Sequence, residues 1–153
     1  MAQQTLARTD TGEVVLRALV SLALVVDAGV HVWLAPDAQL AAPGGIGGGW
    51  MFRLQALAAL LAAAYLLWRG SRLAYAVAAV VLLSVFAAVL LYTYVDVPAI
   101  GPIPPMYDPF WTPPKVISTV VEGVGAVLAV PPAVAAFGEG GLLRLTGKGS
   151  KQR

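Results

Sequence analysis

The chain has 153 residues but no cysteine and only one histidine. The absence of cysteine excludes thiolate nucleophiles, disulfides, iron–sulfur clusters, thiolate zinc sites and covalently attached c-type haem. The single histidine, His31, excludes a bis-histidine haem and a two-histidine metal site built by this chain alone. We therefore expect no cofactor.

Charged residues are also scarce. They make up 12% of the chain, whereas hydrophobic residues make up 59%; ordinary soluble domains have about 25% charged and 45–50% apolar residues. The length allows one domain, and most of it is apolar. The composition predicts an all-α, polytopic membrane protein with no room for a soluble catalytic domain.

Four apolar runs have the length of about 20 residues that a helix needs to cross the hydrocarbon core. They cover residues 14–35, 50–68, 73–95 and 116–137. Since these spans take up more than half of the chain, the connections between them are short. The pattern predicts an antiparallel four-helix transmembrane bundle over residues 14–137, with a cytoplasmic segment at 1–13 and a basic cytoplasmic tail at 138–153.

The first span begins with a helix signal. Asp10 and Glu13 are three residues apart just before the apolar run, which resembles a capping box. A cleaved signal peptide is the alternative, but the run is longer than the usual ~7–15-residue apolar region of such a peptide and is interrupted by Asp27. We therefore expect a signal anchor whose helix begins near Asp10.

The distribution of lysine and arginine predicts the orientation, because cytoplasmic segments contain the excess. One face has most of the basic residues, namely Arg8, Arg17, Arg69, Arg72, Arg144, Lys148, Lys151 and Arg153. The opposite face has only Lys115, with Arg53 just inside the second span. Both termini are therefore predicted to be cytoplasmic, with the protein in the cell membrane. The tryptophans agree with this orientation, since all of them lie at span ends: Trp33, Trp50, Trp111 and Trp68.

The two outer connections differ in chemistry. Residues 36–49 include the run GGIGGG, which predicts a mobile connection or one whose backbone approaches another segment closely. Residues 96–114 contain most of the 11 prolines and predict a stiff flap rather than a helix. The flap aromatics Tyr107, Phe110 and Trp111 would rest on the headgroup layer or cover the outer mouth of the bundle, and we favour the first role.

Five polar side chains within the spans lie at similar depth. Asp27 and Glu122 are each roughly 9–12 Å below the outer boundary at 1.5 Å per residue, and His31 shares the helix face of Asp27 at i+4. Gln55 and Tyr92 lie at similar or shallower depth. An ionisable group at the bilayer centre costs about 2.5–3.5 kcal/mol, so a shared layer would give these groups partners. We expect Asp27 and Glu122 to face the bundle interior and to titrate as a coupled pair.

The helix faces favour the same convergence. A stripe of small and polar residues follows the fourth span: Ser118, Glu122, Gly125, Ala129 and Ala133. Matching stripes follow the second span at Gln55, Ala59 and Ala62, and the third at Val77, Val81, Ser84, Ala88 and Tyr92.

Arg53 in the second span and two prolines in the fourth span also affect how these helix faces are arranged. Arg53 lies about 200° around the helix from Gln55. We therefore expect Gln55 to point inward and Arg53 to reach outward to phosphate, with an inward Arg53 near Asp27 or Glu122 as the alternative. In the fourth span, Pro131 and Pro132 predict a kink or a break.

Three short motifs contain the most distinctive polar residues. AGVHVWL contains His31, FRLQAL contains Gln55 and STVVEG contains Glu122. Together with the four-span layout, these motifs resemble the small four-span membrane proteins found in large numbers in high-GC actinobacteria. The resemblance implies a topology and supplies no activity.

Two classes of function fit the polar layer. In the first, a non-enzymatic membrane subunit or scaffold, the residues Asp27, His31, Gln55, Tyr92 and Glu122 form a buried network that fixes the bundle or receives a partner, either another membrane protein or a second copy. In the second, the same layer binds or transports a small cation, a proton or a polar molecule that enters from the outer face. The sequence slightly favours the first.

Other functions fit less well. Copper handling is a minor hypothesis, because His31, Met51 and Met106 lie toward the outer face and suit Cu(I). An enzyme is disfavoured, since the sequence has no nucleophile motif, metal-ligand spacing or phosphate-binding loop. The basic residues are a topology signal in juxtamembrane segments, so the expected partners are membrane lipids and not nucleic acid.

The predicted orientation can be tested by labelling. Cysteines introduced at Ala38 and Tyr107 should react with a membrane-impermeant maleimide in intact cells, because both positions are predicted to face outward. The chain has no cysteine of its own to interfere. Protection of both positions, with labelling of a cysteine in the C-terminal tail, would contradict the orientation.

Overall fold

The computed structural model describes the backbone of residues 2–146 and the side chains of residues 11–135. The chain forms four α-helices, α1 (Ala2–Ala41), α2 (Gly48–Arg69), α3 (Arg72–Tyr94) and α4 (Pro113–Thr146). Each is long and apolar enough to cross a membrane, over Thr11–Ala41, Gly48–Arg69, Arg72–Tyr94 and Pro113–Ala135. The prediction of an all-helical protein with four helices long and apolar enough to span a membrane is confirmed. The side chains of the predicted basic tail at 138–153 lie outside the described residues.

The helices pack as a bundle in which each contacts two neighbours. α1 packs against α2 and α4, and α3 packs against the same two helices, while α1 and α3 barely touch. Small residues fill the core, so the helix backbones approach closely, as the interior of a membrane bundle requires. The fully buried members include Ala59, Ala78 and Ala129, with Leu24 and Leu82 between them.

The two ends of the bundle have different connections, and we call them the loop end and the turn end. At the loop end, the α1–α2 connection meets the long α3–α4 connection, because Ile46 N donates a hydrogen bond of 2.9 Å to Pro102 O. At the turn end, α2 and α3 are joined by Gly70 and Ser71 alone. Gly70 adopts a left-handed conformation with φ 52°, which glycine accepts without strain, and Ser71 caps α3 by accepting from Ala74 N at 3.2 Å.

The first helix is longer at both ends than the sequence predicted. It begins at Ala2, so the Asp10–Glu13 pair lies inside the helix and does not cap it. It also continues through Pro36 to Ala41, whereas the connection was expected to start at Pro36. Proline removes one backbone donor, and a membrane helix tolerates that loss when neighbouring segments support it.

That support comes from the glycines at the start of α2. A Cβ atom at Gly48 would lie 2.5 Å from Ala38 O, and one at Gly49 would lie 2.5 Å from Ala35 O. Only glycine permits this approach, so the last turns of α1 pack directly on the first turn of α2. Of the two interpretations of the glycine run, close backbone approach is the one that the structure confirms.

The face predictions had mixed outcomes. The stripe of α4 is confirmed, because Ser118, Glu122, Gly125, Ala129 and Ala133 are all buried. The stripe of α3 was wrong at Val77, which is exposed, and the buried residues of this half of the helix include Ala74, Ala78 and Leu82, with Val81 half-buried against the core. α4 is not broken at Pro131 and Pro132, since its helix continues to Thr146.

Close packing at Gly125 leads to a stability prediction. A Cβ atom there would lie 2.8 Å from Ala23 Cβ and 2.9 Å from Leu82 Cδ1, closer than carbon atoms pack, so one of the helices must shift. We expect Gly125→Ala to lower the free energy of unfolding by about 1–3 kcal/mol, as overpacking usually does. Thermal unfolding in mild detergent would measure this loss.

The matched control is Gly29→Ala in α1. Nothing lies within 4 Å of a Cβ at Gly29, and both substitutions bring the same gain in helix propensity. Equal melting temperatures for the two variants would show that α4 does not approach α1 and α3 at Gly125.

Candidate functional site

A buried carboxylate on α1 joins three helices. Asp27 is completely buried, and its two oxygen atoms are surrounded by donors. His31 Nδ1 lies 2.9 Å from Oδ1, Gln55 Nε2 of α2 donates to Oδ2 at 3.1 Å, and Ser118 Oγ of α4 lies 3.3 Å from Oδ1. Asp27 is therefore the common acceptor of this cluster. From here on, the polar layer means the residues that the structure brings together: Asp27, His31, Gln55, Ser118 and Glu122.

Helical spacing positions His31 one turn from Asp27, on the side of the loop end. The two residues are four apart on α1, and Nδ1 lies 3.0 Å from the backbone oxygen of Asp27 as well as near its carboxylate. With two acceptors beside it, Nδ1 is the nitrogen to which we assign the ring proton, so a neutral ring has its lone pair on Nε2. Nε2 lies on the edge of the ring away from Asp27. The ring also packs against Phe52, with centroids 5.0 Å apart.

Glu122 on α4 has only one of its oxygen atoms paired. It is completely buried, and Oε1 accepts a hydrogen bond from Ser118 Oγ one turn earlier on the same helix. Among the described residues, Oε2 has no hydrogen-bond partner. Ser118 has a single hydroxyl proton within reach of both carboxylates, so it links Asp27 to Glu122 but cannot satisfy both at once.

The three ionisable side chains are close enough to hold one ion. Asp27, His31 and Glu122 each offer a ligand atom, and these atoms lie within 4.8 Å of one another. Two carboxylates and an imidazole are a donor set that divalent metals accept. The sequence placed these residues at one depth, and the structure brings them together.

A cavity of about 710 Å³ extends from this layer toward the loop end. The layer residues in its lining are His31, Gln55, Ser118 and Glu122, whereas Asp27 lies behind them. Most of the remaining wall is aliphatic or aromatic, from α1, α2 and α3. The volume is in the range of about 300–1,000 Å³ that is usual for small-molecule sites, and apolar walls with a few convergent polar groups are typical of such sites.

The other predicted site residues take different positions. Tyr92 lines the cavity, but in the described part of the chain its hydroxyl makes no hydrogen bond to the layer. The backbone oxygen of Tyr92 instead accepts a hydrogen bond of 2.9 Å from Asp108 N in the proline-rich connection. Arg53 is exposed, with its guanidinium 5.4 Å from the Trp50 ring, so the structure has it outside the layer, as the preferred interpretation expected.

The proline-rich connection forms part of the cavity wall. Pro105, Met106, Tyr107 and Asp108 line it, and the segment is held in place where Lys115 Nζ lies 3.2 Å from Asp108 Oδ2. The connection thus forms part of the wall at the loop end of the cavity. The three residues of the copper hypothesis, His31, Met51 and Met106, all belong to the lining.

Sequence reasoning missed the part that Ser118 takes. It was recognised as a member of the α4 stripe, but not as the hydroxyl that links two carboxylates. The available signal was its spacing of four residues before Glu122, which puts the two side chains on one face of the helix. Comparisons with protein-family models, curated proteins and solved structures found no match to this chain.

The position of Asp27 leads to a second stability prediction. Asp27→Ala removes the acceptor of Gln55 Nε2 and one of the two acceptors near His31 Nδ1 and near Ser118 Oγ, so the amide of Gln55 loses its partner inside the bundle. We expect the free energy of unfolding to fall by about 1–3 kcal/mol, the usual cost of leaving a buried polar group unsatisfied. Thermal unfolding in detergent would measure it.

The control is Asp37→Ala, which removes an exposed carboxylate from the same helix. This variant should unfold like the wild type, since exposed polar groups away from such a network contribute little. If Asp27→Ala were as stable as Asp37→Ala, the layer would not hold the helices together.

Proposed function

We propose that this small multi-pass membrane protein is a non-enzymatic binding module that takes up a small cation or polar molecule at the base of its cavity. The observation that supports the proposal is the unpaired oxygen atom of Glu122. A buried carboxylate oxygen without a donor is costly in an apolar bundle, and a ligand that supplies a donor or a positive charge would remove that cost.

A purely structural network would look different. Buried polar groups that serve only stability nearly always have hydrogen-bond partners. Asp27 meets this requirement, since it is surrounded by three donors from α1, α2 and α4. Glu122 does not meet it. Ser21, Gln39 and Tyr75 also have a buried atom without a hydrogen-bond partner in the described part of the chain, but of these four residues only Glu122 lines the cavity. The two carboxylates therefore have different roles, with Asp27 fixing the bundle and Glu122 receiving the ligand.

The charge of the lining favours a cation. Among the described residues that line the cavity, Asp37, Asp108 and Glu122 are acidic, whereas Lys115 is the one lysine or arginine. Lys115 lies beside Asp108, so its positive charge is balanced at the loop end by that carboxylate. An excess of negative charge around a cavity attracts cations from solution.

The structural interpretation remains the second candidate, and a specific observation favours it. The hydrogen bonds of Asp27 join three helices, as expected of a scaffold or a subunit that receives another membrane protein or a second copy. The two candidates differ at Glu122. A scaffold tolerates Glu122→Gln, because glutamine keeps hydrogen bonds and removes a buried charge.

We further propose that the helices cross the cell membrane in antiparallel order, with both termini cytoplasmic and the loop end outside. The short connections support alternation of direction, since α2 and α3 are separated by only two residues. Arg69 and Arg72 flank that turn, and Arg17 approaches it, with Nη1 3.5 Å from Leu67 O. Arginine concentrated at one end is the usual sign of the cytoplasmic side. Membrane lipids are then the surrounding partners.

The binding function predicts that the protein retains an occupant. Native mass spectrometry of protein released from mild detergent should show an added small mass, and Glu122→Gln should lose it while melting at a similar temperature. Glu13→Gln is the matched control, because Glu13 pairs with Arg17 at 2.6 Å near the turn end and does not line the cavity. A Glu122→Gln variant that kept the same bound mass as the wild type would contradict the proposal and favour the scaffold.

A further inference from the structure

We propose that the occupant of the cavity is an amphipathic organic amine, with a primary or secondary ammonium group at Glu122 and an apolar body along the cavity wall. The inference rests on the proposed binding function and specifies its ligand class. It follows from which atoms of the polar layer are already engaged, from the shape of the cavity and from the charge of its lining.

The polar-layer atoms that are not used in the contacts around Asp27 and Ser118 are hydrogen-bond acceptors. The carboxylate of Asp27 accepts from Gln55 Nε2, so the amide of Gln55 has its NH₂ group turned toward Asp27 and its carbonyl oxygen turned away. When its ring is neutral, His31 has its proton on Nδ1 beside Asp27 and its lone pair on Nε2. With Glu122 Oε2 unpaired, three residues of the cavity lining each have an acceptor to offer.

An ammonium group matches this arrangement better than any neutral group. It has two or three N–H donors, all of which need acceptors once the group leaves water. Its positive charge is also balanced by the carboxylate of Glu122. A charge-assisted hydrogen bond of this kind is roughly twice as strong as a neutral one.

A bare metal ion fits the same residues less well. To ligate a metal, Asp27 would have to give up either the hydrogen bond from Gln55 Nε2 at Oδ2 or its contacts with His31 Nδ1 and Ser118 Oγ at Oδ1. Glu122 Oε2 is the one carboxylate oxygen of the layer without a partner in the described part of the chain. A cavity of about 710 Å³ is also far larger than an ion needs. Most of that space would be left unfilled.

The walls of the cavity suit the rest of an amine ligand. Between the layer and the loop end the lining includes Leu34, Met51, Phe52, Val85 and Val89. Burying an apolar body against such side chains contributes about 25 cal/mol per Å². Methionine adapts its shape to different ligands, so the site would accept a class of amines and not a single one.

The loop end provides the route for such a ligand. Asp37 and the Asp108–Lys115 ion pair lie in the lining there, and the negative charge of Asp37 favours the approach of an amine cation. Tyr107 and Met106 of the proline-rich connection complete the wall above the apolar region. A ligand would therefore enter with its ammonium group first and leave its apolar body under the connection.

Three probes distinguish this ligand class from its alternatives. The first is 6-phenylhexylamine, the second is its N,N,N-trimethyl derivative, which keeps the charge but has no N–H donor, and the third is Zn²⁺. Binding to the full chain in lipid nanodiscs would be measured by calorimetry, with empty nanodiscs subtracted. We expect the primary amine to bind at least tenfold more tightly than the trimethylated compound, as the loss of charge-assisted hydrogen bonds implies.

Variants then connect binding to the site. Glu122→Gln should weaken binding of the amine at least tenfold, whereas Glu13→Gln should leave it unchanged. Ala88→Trp, which fills the cavity from α3 without touching the charge of the layer, should also abolish binding. An amine that bound Glu122→Gln and wild type equally would show that the lipid or another surface takes it up, and would overturn the proposal.

The remaining outcomes separate the ligand class from the binding function. Equal affinity for the primary and trimethylated compounds, or binding of Zn²⁺ alone, would show that the amine class is wrong; if that binding still required Glu122, the site would remain a binding site. If no probe bound and native mass spectrometry found no occupant, both the ligand class and the binding function would be wrong.

Discussion

A carboxylate buried among apolar helices must have its oxygen atoms hydrogen-bonded, and most of this structure depends on that constraint. Asp27 meets it with donors from three helices, His31 one turn away, Gln55 on α2 and Ser118 on α4. Because all of these side chains must reach one carboxylate, the rotation and depth of α1 are fixed relative to α2 and α4. Alanine-rich core positions such as Ala59 then allow the helices to come close enough for those contacts.

In the described part of the chain, α3 contributes no side chain to the polar layer, and the cavity lies along this helix. α3 packs on α2 and α4 but barely touches α1. Its residues near the loop end, Ser84 and Tyr92 among them, line open space and do not bond to the layer. Among the described residues, Glu122 has a donor at Oε1, from Ser118, and none at Oε2.

The sequence predicts the number of spans and the polar layer, because hydropathy determines which segments enter a membrane and ionisable groups there need partners. It does not predict that α1 continues past Pro36, since the glycines that support those turns lie on another helix. It also misassigns the face of α3 at Val77, because a helix that is apolar on all sides has no polar stripe to mark its buried face. The link through Ser118 depends on how α1 and α4 are placed side by side, which spacing within one helix does not determine.

Asp27 organises the layer and orients His31, and because the chain has a single histidine this orientation is directly measurable. Nitrogen NMR of the protein with ¹⁵N-labelled histidine should show one protonated and one unprotonated ring nitrogen, with the proton on Nδ1 beside Asp27. Asp27→Asn should weaken that preference, because the carboxylate is lost and the backbone oxygen of residue 27 remains beside Nδ1, whereas Asp37→Asn should leave the spectrum unchanged. A ring protonated at Nε2 in the wild type, or a spectrum indifferent to Asp27→Asn, would contradict the account.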